Sequence, residues 1–225
     1  MPIFQHKTVD LGYSTLETEN SAELGRRYCT PDGKRYPSIT TVLSILSKDS
    51  ILEWRARVGN EEANRVSRVA AGRGTSVHSI VEDYLNNKEI DLKKRMPNAS
   101  AAFRSIRPIL DQHIGQIFMQ ECPLYSDHLQ VAGRCDLVAE FDGKLAIVDI
   151  KTSSRQKSRD DVHAYFMQEA AYAIMFEERT GIPVNSLVTI MSVDFSEPIV
   201  FREKRDNWTK VLRETIDQYY NLNRK

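Results

Sequence analysis

Asp136 closes the segment Gly133-Arg134-Cys135-Asp136, and 13 residues later Asp149-Ile150-Lys151-Thr152 ends the apolar run Leu145-Ala146-Ile147-Val148. Side chains alternate across a strand, so Asp149 and Lys151 share a face while Ile150 takes the other. Asp136 lies on what reads as the neighbouring strand. Two carboxylates and an ammonium at the open end of a sheet make a divalent-cation site with a fixed positive charge beside it. That set suits phosphodiester hydrolysis, in which charge builds on phosphate oxygens and on a leaving alkoxide. An isolated Asp-x-Lys is more often a solvated surface pair. The reading therefore depends on what else the fold brings to the same place.

The elements that must position these residues follow from the residue pattern. Residues 116–126, 129–140 and 144–151 read as strands, and Asp142-Gly143 is a strong hairpin turn between the last two. Those two strands are antiparallel neighbours, which brings Asp136 towards Asp149. Residues 160–180 form the clearest helix, with Asp160 or Asp161 as cap and Gly181 and Pro183 as stop. Strands over 184–194 and 198–203 and a helix over 206–222 complete this half. The long connection through helix 160–180 implies that strand 184–194 joins the sheet parallel to a neighbour.

Upstream, residues 26–37 read as a hairpin turning at Pro31-Asp32-Gly33, and Ser38 caps a helix to about Leu46. Residues 50–71 read as one or two Arg-rich helices, broken at Gly72-Arg73-Gly74. A new helix then starts at Thr75 or Ser76 and runs to about Asn87, with the apolar stripe Val77, Ile80, Val81, Tyr84 and Leu85. A further helix over 98–113 contains Pro108, which can kink or divide it. The expected class is α/β: a mixed central β-sheet flanked by helices, with a helical N-terminal elaboration. The expected organisation is a single domain over 1–225, comprising a mainly helical part with a hairpin (1–115), the sheet and its crossover helix (116–203), and a terminal helix (204–225).

With 225 residues, 41% hydrophobic and 28% charged, the composition is that of an ordinary globular chain. No apolar run approaches the roughly 18 residues of a membrane span, and the N-terminus lacks a signal-peptide pattern; a cytoplasmic setting is expected. Cys29, Cys122 and Cys135 are widely spaced with no Cys-x-x-Cys. They read as small buried residues and argue against structural zinc. The 31 basic and 31 acidic side chains cancel, so any case for nucleic acid is local. Residues 151–159, KTSSRQKSR, are basic without an acidic residue, and Arg55, Arg57, Arg65, Arg68 and Arg73 outnumber Glu61 and Glu62 over 54–73. A basic run directly after the candidate site is well placed to hold phosphates. Thr152, Ser153, Arg155 and Lys157 are therefore candidate substrate contacts, with Arg73 and Arg55 from the upstream cluster. Trp54 beside Arg55 and Arg57 could stack on a base, or simply pack.

Gln168 and Tyr172 share a helix face 17 residues after Lys151, and Gly74-Thr75-Ser76-Val77-His78 sets a histidine on a helix after a glycine. His-after-Gly, G-x-x-D, (D/E)-x-K and Q-x-x-x-Y in this order resemble the RecB-like branch of the PD-(D/E)xK nuclease superfamily. Tyr36-Pro37-Ser38-Ile39-Thr40-Thr41-Val42-Leu43 and Gly133-Arg134-Cys135-Asp136-Leu137-Val138-Ala139-Glu140 extend the resemblance to about 26–180, towards the mitochondrial genome-maintenance and phage exonuclease group. The acidic residue before x-Lys is Asp149 rather than Glu, and the proline of the family name is absent. The cysteines of cluster-bearing relatives are absent, so no iron–sulfur cluster is implied.

The resemblance implies a restriction-endonuclease-like core and metal-dependent hydrolysis of DNA. Asp136 and Asp149 would bind Mg²⁺ or Mn²⁺ with the Ile150 carbonyl, since hard oxygen ligands suit these ions. His78 would join that shell. Lys151 would orient or help deprotonate a water, or neutralise developing charge, and Gln168 and Tyr172 would orient the lysine or touch the DNA backbone. Glu121 is a further candidate ligand and Glu82 a weaker one. An exonuclease on single strands or frayed ends is expected, in a bacterial or phage-infected cell and alongside replication or recombination proteins. The rivals are a structure-specific endonuclease, a non-catalytic DNA-binding accessory protein, and a protein-interaction domain on the same scaffold.

Overall fold

The computed structural model describes residues 3–224. β1 (Glu17–Ser21), β2 (Gly25–Cys29) and β3 (Arg35–Pro37) form a small antiparallel sheet in that order. The hairpin expected over 26–37 is its β2–β3 pair, with Gly33 at φ +83° in the turn. β1 carries no sequence signal, because Glu-Thr-Glu-Asn-Ser is polar throughout and exposed along its whole length. Ser38 caps α1 (Ile39–Leu43) by accepting from the Thr41 N–H at 3.0 Å, and a 3₁₀ turn over Ser44–Ser47 follows.

α2 (Lys48–Val58) ends at Gly59, φ +86°, and α3 (Asn60–Leu85) then runs 26 residues without interruption. The break expected at Gly72-Arg73-Gly74 is absent. Glycine inside a helix costs only about 1 kcal/mol relative to alanine. The packing of Val77, Ile80, Val81, Tyr84 and Leu85, with the Arg73–Asp194 ion pair at 2.5 Å, holds this stretch helical. α4 (Pro97–His113) likewise passes through Pro108 undivided. Pro108 is exposed, so the carbonyl it leaves without a helical partner can turn to water.

β4 (Ile114–Ser126), β5 (Val131–Phe141), β6 (Lys144–Ser153), β7 (Ser186–Val193) and β8 (Ile199–Lys204) make a five-stranded sheet in sequence order. The β6–β7 pair is parallel and the others antiparallel. α5 (His163–Thr180) makes the crossover and α6 (Thr209–Asn223) closes the chain. Asp142 and Gly143 both have positive φ, as a two-residue hairpin needs, and Gly181 ends α5 in the left-handed conformation. The expected aspartate cap of α5 is not formed. Asp161 accepts from the Ser158 N–H at 2.8 Å instead, and a 3₁₀ turn over Asp160–Val162 leads into the helix.

The large sheet is covered on both faces. Ile147 packs with α1, α5 and α6, whereas its neighbours Ala146, Val148 and Ile150 pack with α3 and α4. This two-sided burial explains why β6 reads as a continuous apolar run rather than an alternating one. The architecture is α/β, as expected. None of the described helices is long and apolar enough to cross a membrane.

Candidate active site

The site forms where two paired strands separate. β5 and β6 stay in register from Phe141↔Lys144 to Leu137↔Val148 and then part. Past that point the backbone of Ile150 finds side-chain partners. Its N–H donates to Asp136 Oδ2 at 2.9 Å, and its carbonyl accepts from His78 Nε2 at 2.8 Å. His78 is delivered by α3, whose neighbouring Val77, Ile80 and Val81 fix the helix against the sheet.

Because Nε2–H donates to a carbonyl, Nδ1 is the ring nitrogen that faces the site. Nδ1 lies 3.4 Å from Glu121 Oε1 and 3.5 Å from Asp136 Oδ1. Glu121 reaches this point through its backbone. It sits between the register pairs Gln120↔Leu137 and Cys122↔Cys135 with φ +44°, a left-handed conformation that a side-chain-bearing residue adopts at a cost. Among the described residues, His78, Glu121 and Asp136 offer ligand atoms that all lie within 4.8 Å of one another. The cavity beside them has a volume of about 10 Å³, room for one ion or water.

Asp149, 1% exposed, stands beside this cluster on the α5 side. Its Oδ2 lies 2.5 Å from Lys151 Nζ, and its Oδ1 accepts from Gln168 Nε2 at 3.2 Å. The Lys151 ammonium also lies 5.2 Å from the centre of the Tyr165 ring. Lys157 approaches the same ring at 4.9 Å and donates to its hydroxyl at 2.7 Å.

Burial and electrostatics set the charges. Burial disfavours the Lys151 ammonium, but Asp149 and Asp136 outweigh it and hold the pKa above its ordinary value. Burial also opposes protonation of His78. Glu121, Asp136 and Asp149 more than compensate and raise it to about 9. Burial first, and then Asp149, push the Asp136 carboxyl well above the usual carboxylate range. A protonated imidazole thus bridges two carboxylates where a cation could sit.

The substrate contacts expected from sequence fall in several environments. Tyr172 is 2% exposed, and a Cβ at Gly133 would lie 2.7 Å from its ring. It backs Gln168, whose amide is 3.5 Å from its hydroxyl, and stays out of reach of a ligand. Arg73 is buried in its pair with Asp194. Ser153 is buried and donates to the Arg155 carbonyl at 2.6 Å. Arg55 bonds Asn60 and Asn64 at the α2–α3 junction. Thr152 is half-buried, and Arg155 is exposed on the basic loop with Lys157. Arg159 of that loop is taken by Glu203.

Two residues near the site carried no sequence signal. Tyr165 lies between two lysines. Glu169, fully buried, accepts from Thr189, the register partner of Asp149. Burial and Asp149 push the Glu169 carboxyl well above its ordinary range. Its neighbour Gln168 was legible only through the family motif.

Residues 99–222, more than half of the chain, match the PD-(D/E)XK nuclease superfamily. The chain belongs to this superfamily. The matched span includes Glu121, Asp136, Asp149, Lys151 and Gln168 and begins after His78. This superfamily member is 28% identical over 131 residues to mitochondrial genome maintenance exonuclease 1 of Homo sapiens, a match covering 54% of the chain and 38% of that protein. The protein of the same name from Xenopus tropicalis is 25% identical over 173 residues, covering 72% and 50%. The matches thus span half or less of these curated relatives. A crystal structure of a candidate exonuclease from Eubacterium rectale aligns with a TM-score of 0.43 and 14% identity over 69% of each chain.

Proposed function

We propose that this nuclease is a divalent-metal-dependent DNA exonuclease acting on single strands or frayed ends, in replication, recombination or repair. The observation that carries the reading is the convergence of His78 Nδ1, Glu121 and Asp136 beside the Asp149–Lys151 ion pair. The donor set fits Mg²⁺ or Mn²⁺: carboxylate oxygens dominate, one imidazole nitrogen joins them, and no thiolate approaches among the described residues. Asp136, Glu121 and His78 would hold the ion, with Asp149 and the Ile150 carbonyl adjoining. When bound, such a cation acidifies a coordinated water and offsets charge on the phosphate.

The chain's own groups do the rest. His78 is oriented by donating to the Ile150 carbonyl, and the same bond directs its Nδ1 at the carboxylates. Lys151 keeps its proton and is held by Asp149, so it neutralises charge developing on phosphate oxygens as water attacks phosphorus and the P–O bond to the leaving sugar breaks. Gln168 fixes Asp149, and Glu169, whose carboxyl burial pushes above its ordinary range, lies behind it on Thr189. The basic loop with Arg155 and Lys157 supports phosphate binding. Action from an end and a role in genome maintenance are supported by the names of the curated relatives.

The test is incubation of 5′- and 3′-labelled linear single strands and a circular single strand with Mg²⁺, Mn²⁺ or EDTA. Metal-dependent loss of the linear strands alone, abolished in Asp149→Ala, is the expected result. Cutting of the circle would replace the exonuclease reading with an endonuclease. Absence of cleavage with either metal would overturn the catalytic reading.

A further inference from the structure

One face of α3 stays open over its N-terminal half. Val66, Val69, Ala70 and Arg73 follow the three- and four-residue spacing that continues into the buried Val77, Ile80 and Val81. Val66 and Val69 are exposed. They line a cleft of about 930 Å³ whose other wall is the end of β7 and the β7–β8 turn, with Ser192, Asp194 and Phe195. That volume is within the range of ordinary ligand pockets, roughly 300–1,000 Å³.

Phe195 is the unusual residue here. It is fully exposed and has φ +57°, a conformation that disfavours any side chain. An aromatic ring held out in water on such a backbone points to a role outside the fold's own packing.

The chemistry of the walls narrows the occupant. The cleft is apolar over Val66, Val69 and Ala70 of α3, and its cations are already paired, Arg73 with Asp194 at 2.5 Å and Arg65 with Glu62 at 2.7 Å, while Glu197 adds a carboxylate at the rim. Walls whose cations are already paired, with a carboxylate at the rim and an aromatic plate beside them, suit an uncharged heterocycle better than a phosphate. Phosphates have a neighbouring place. The Asp194 N–H donates to the Ser153 carbonyl at 3.0 Å, and Gln156 donates to Ser196 at 2.6 Å. The cleft thus abuts the basic loop of Arg155 and Lys157, which begins where Lys151 ends the catalytic strand.

We propose that this cleft holds one unpaired nucleobase of a DNA strand, stacked on Phe195, while the strand's backbone follows the basic loop to Lys151. The proposal deepens the reading of the protein as a nuclease of single strands and rests on it. A base in a duplex has both faces covered and cannot enter.

Binding in EDTA separates this proposal from catalysis. The probes are linear single strands carrying the fluorescent base 2-aminopurine, or one abasic residue, at successive positions. For the wild type, fluorescence quenching at one position and a weaker Kd for the abasic strand at that position are expected. Phe195→Ala should raise Kd roughly 10-fold, abolish the position-specific quenching and no longer distinguish the abasic strand, and Phe195→Trp should restore all three. Equal Kd and quenching in wild type and Phe195→Ala would overturn the base site. So would a changed oligomeric state with DNA binding unaltered, which would assign Phe195 to self-association. A wild type that shows no position-specific quenching or abasic effect, yet cleaves linear strands in metal, would refute the cleft and leave the nuclease reading standing. Binding without cleavage in metal would instead refute the nuclease reading.

Discussion

At the scale of single residues, the site is built from groups that are costly to the fold. Glu121 occupies a left-handed backbone and faces Asp136 and His78. Glycine accepts that φ freely. Glu121→Gly should therefore raise the free energy of unfolding by about 1 kcal/mol while removing metal-activated cleavage, checked by urea titration alongside the strand assay. A variant that is both less stable and fully active would place Glu121 outside the site. The residue itself was visible in sequence as a glutamate near Asp136, but nothing in its type reveals the backbone that aims it. Asp136, Asp149 and Lys151 were legible because strand alternation and hairpin turns are local rules, and Gln168 was legible through the family motif. Tyr165 and Glu169 were not, because their partners Lys157, Lys151 and Thr189 meet them only through the folded crossover.

At the scale of elements, the approach of α5 to β5 explains why glycine precedes the aspartate in G-x-x-D. A Cβ at Gly133 would stand 2.7 Å from the Tyr172 ring and 3.2 Å from Ile39. Gly133→Ala should cost about 1–3 kcal/mol and lower kcat through displacement of Tyr172 and Gln168, measured by thermal unfolding and steady-state kinetics. The small sheet is tied to α5 through Asp127, which accepts from Lys34 and Tyr36 at 2.8 Å each and from Arg179 at 3.3 Å. The bond from Lys34 holds the Asp127 carboxyl below its ordinary range, with burial opposing it and the Tyr36 bond adding to the depression. A depressed carboxyl adds stability above its unfolded pKa, near 4, and loses it as the pH falls through the folded value. Below about pH 4 the wild type should lose stability more steeply than Asp127→Asn; parallel curves in denaturant titrations would exclude this tie. The hairpin at Asp142-Gly143 and the stop at Gly181 were readable because glycine chemistry decides them locally. Gly72-Arg73-Gly74 misleads because the packing of Val77 to Leu85 outweighs the local preference.

At the scale of the whole molecule, the candidate ligands come from separate elements: His78 from α3, Glu121 from β4 and Asp136 from β5. An ion shared among them would join the helical wall to the sheet and bind only the folded chain. Mn²⁺ at 100 times its Kd should then add about 2.7 kcal/mol of stability, a rise in Tm of roughly 5–10 °C for a chain of this size. Asp136→Asn should abolish most of the rise, and an unchanged wild-type Tm would deny the site its ion.

The parting of β5 and β6 also makes Asp136, a proposed metal ligand, a rung of the ladder. Asp136 stands where the strand has turned away, so the Ile150 N–H, in a residue 1% exposed, donates to a group proposed for the chemistry. Asn can keep that rung and Ala cannot. The two substitutions should be equally inactive, yet Asp136→Ala should unfold more readily than Asp136→Asn by about 1–3 kcal/mol. An experimenter seeking a silent but intact protein for trapping DNA is steered by this to the amide, because truncation would unpick the weave at the point where the substrate is to be held.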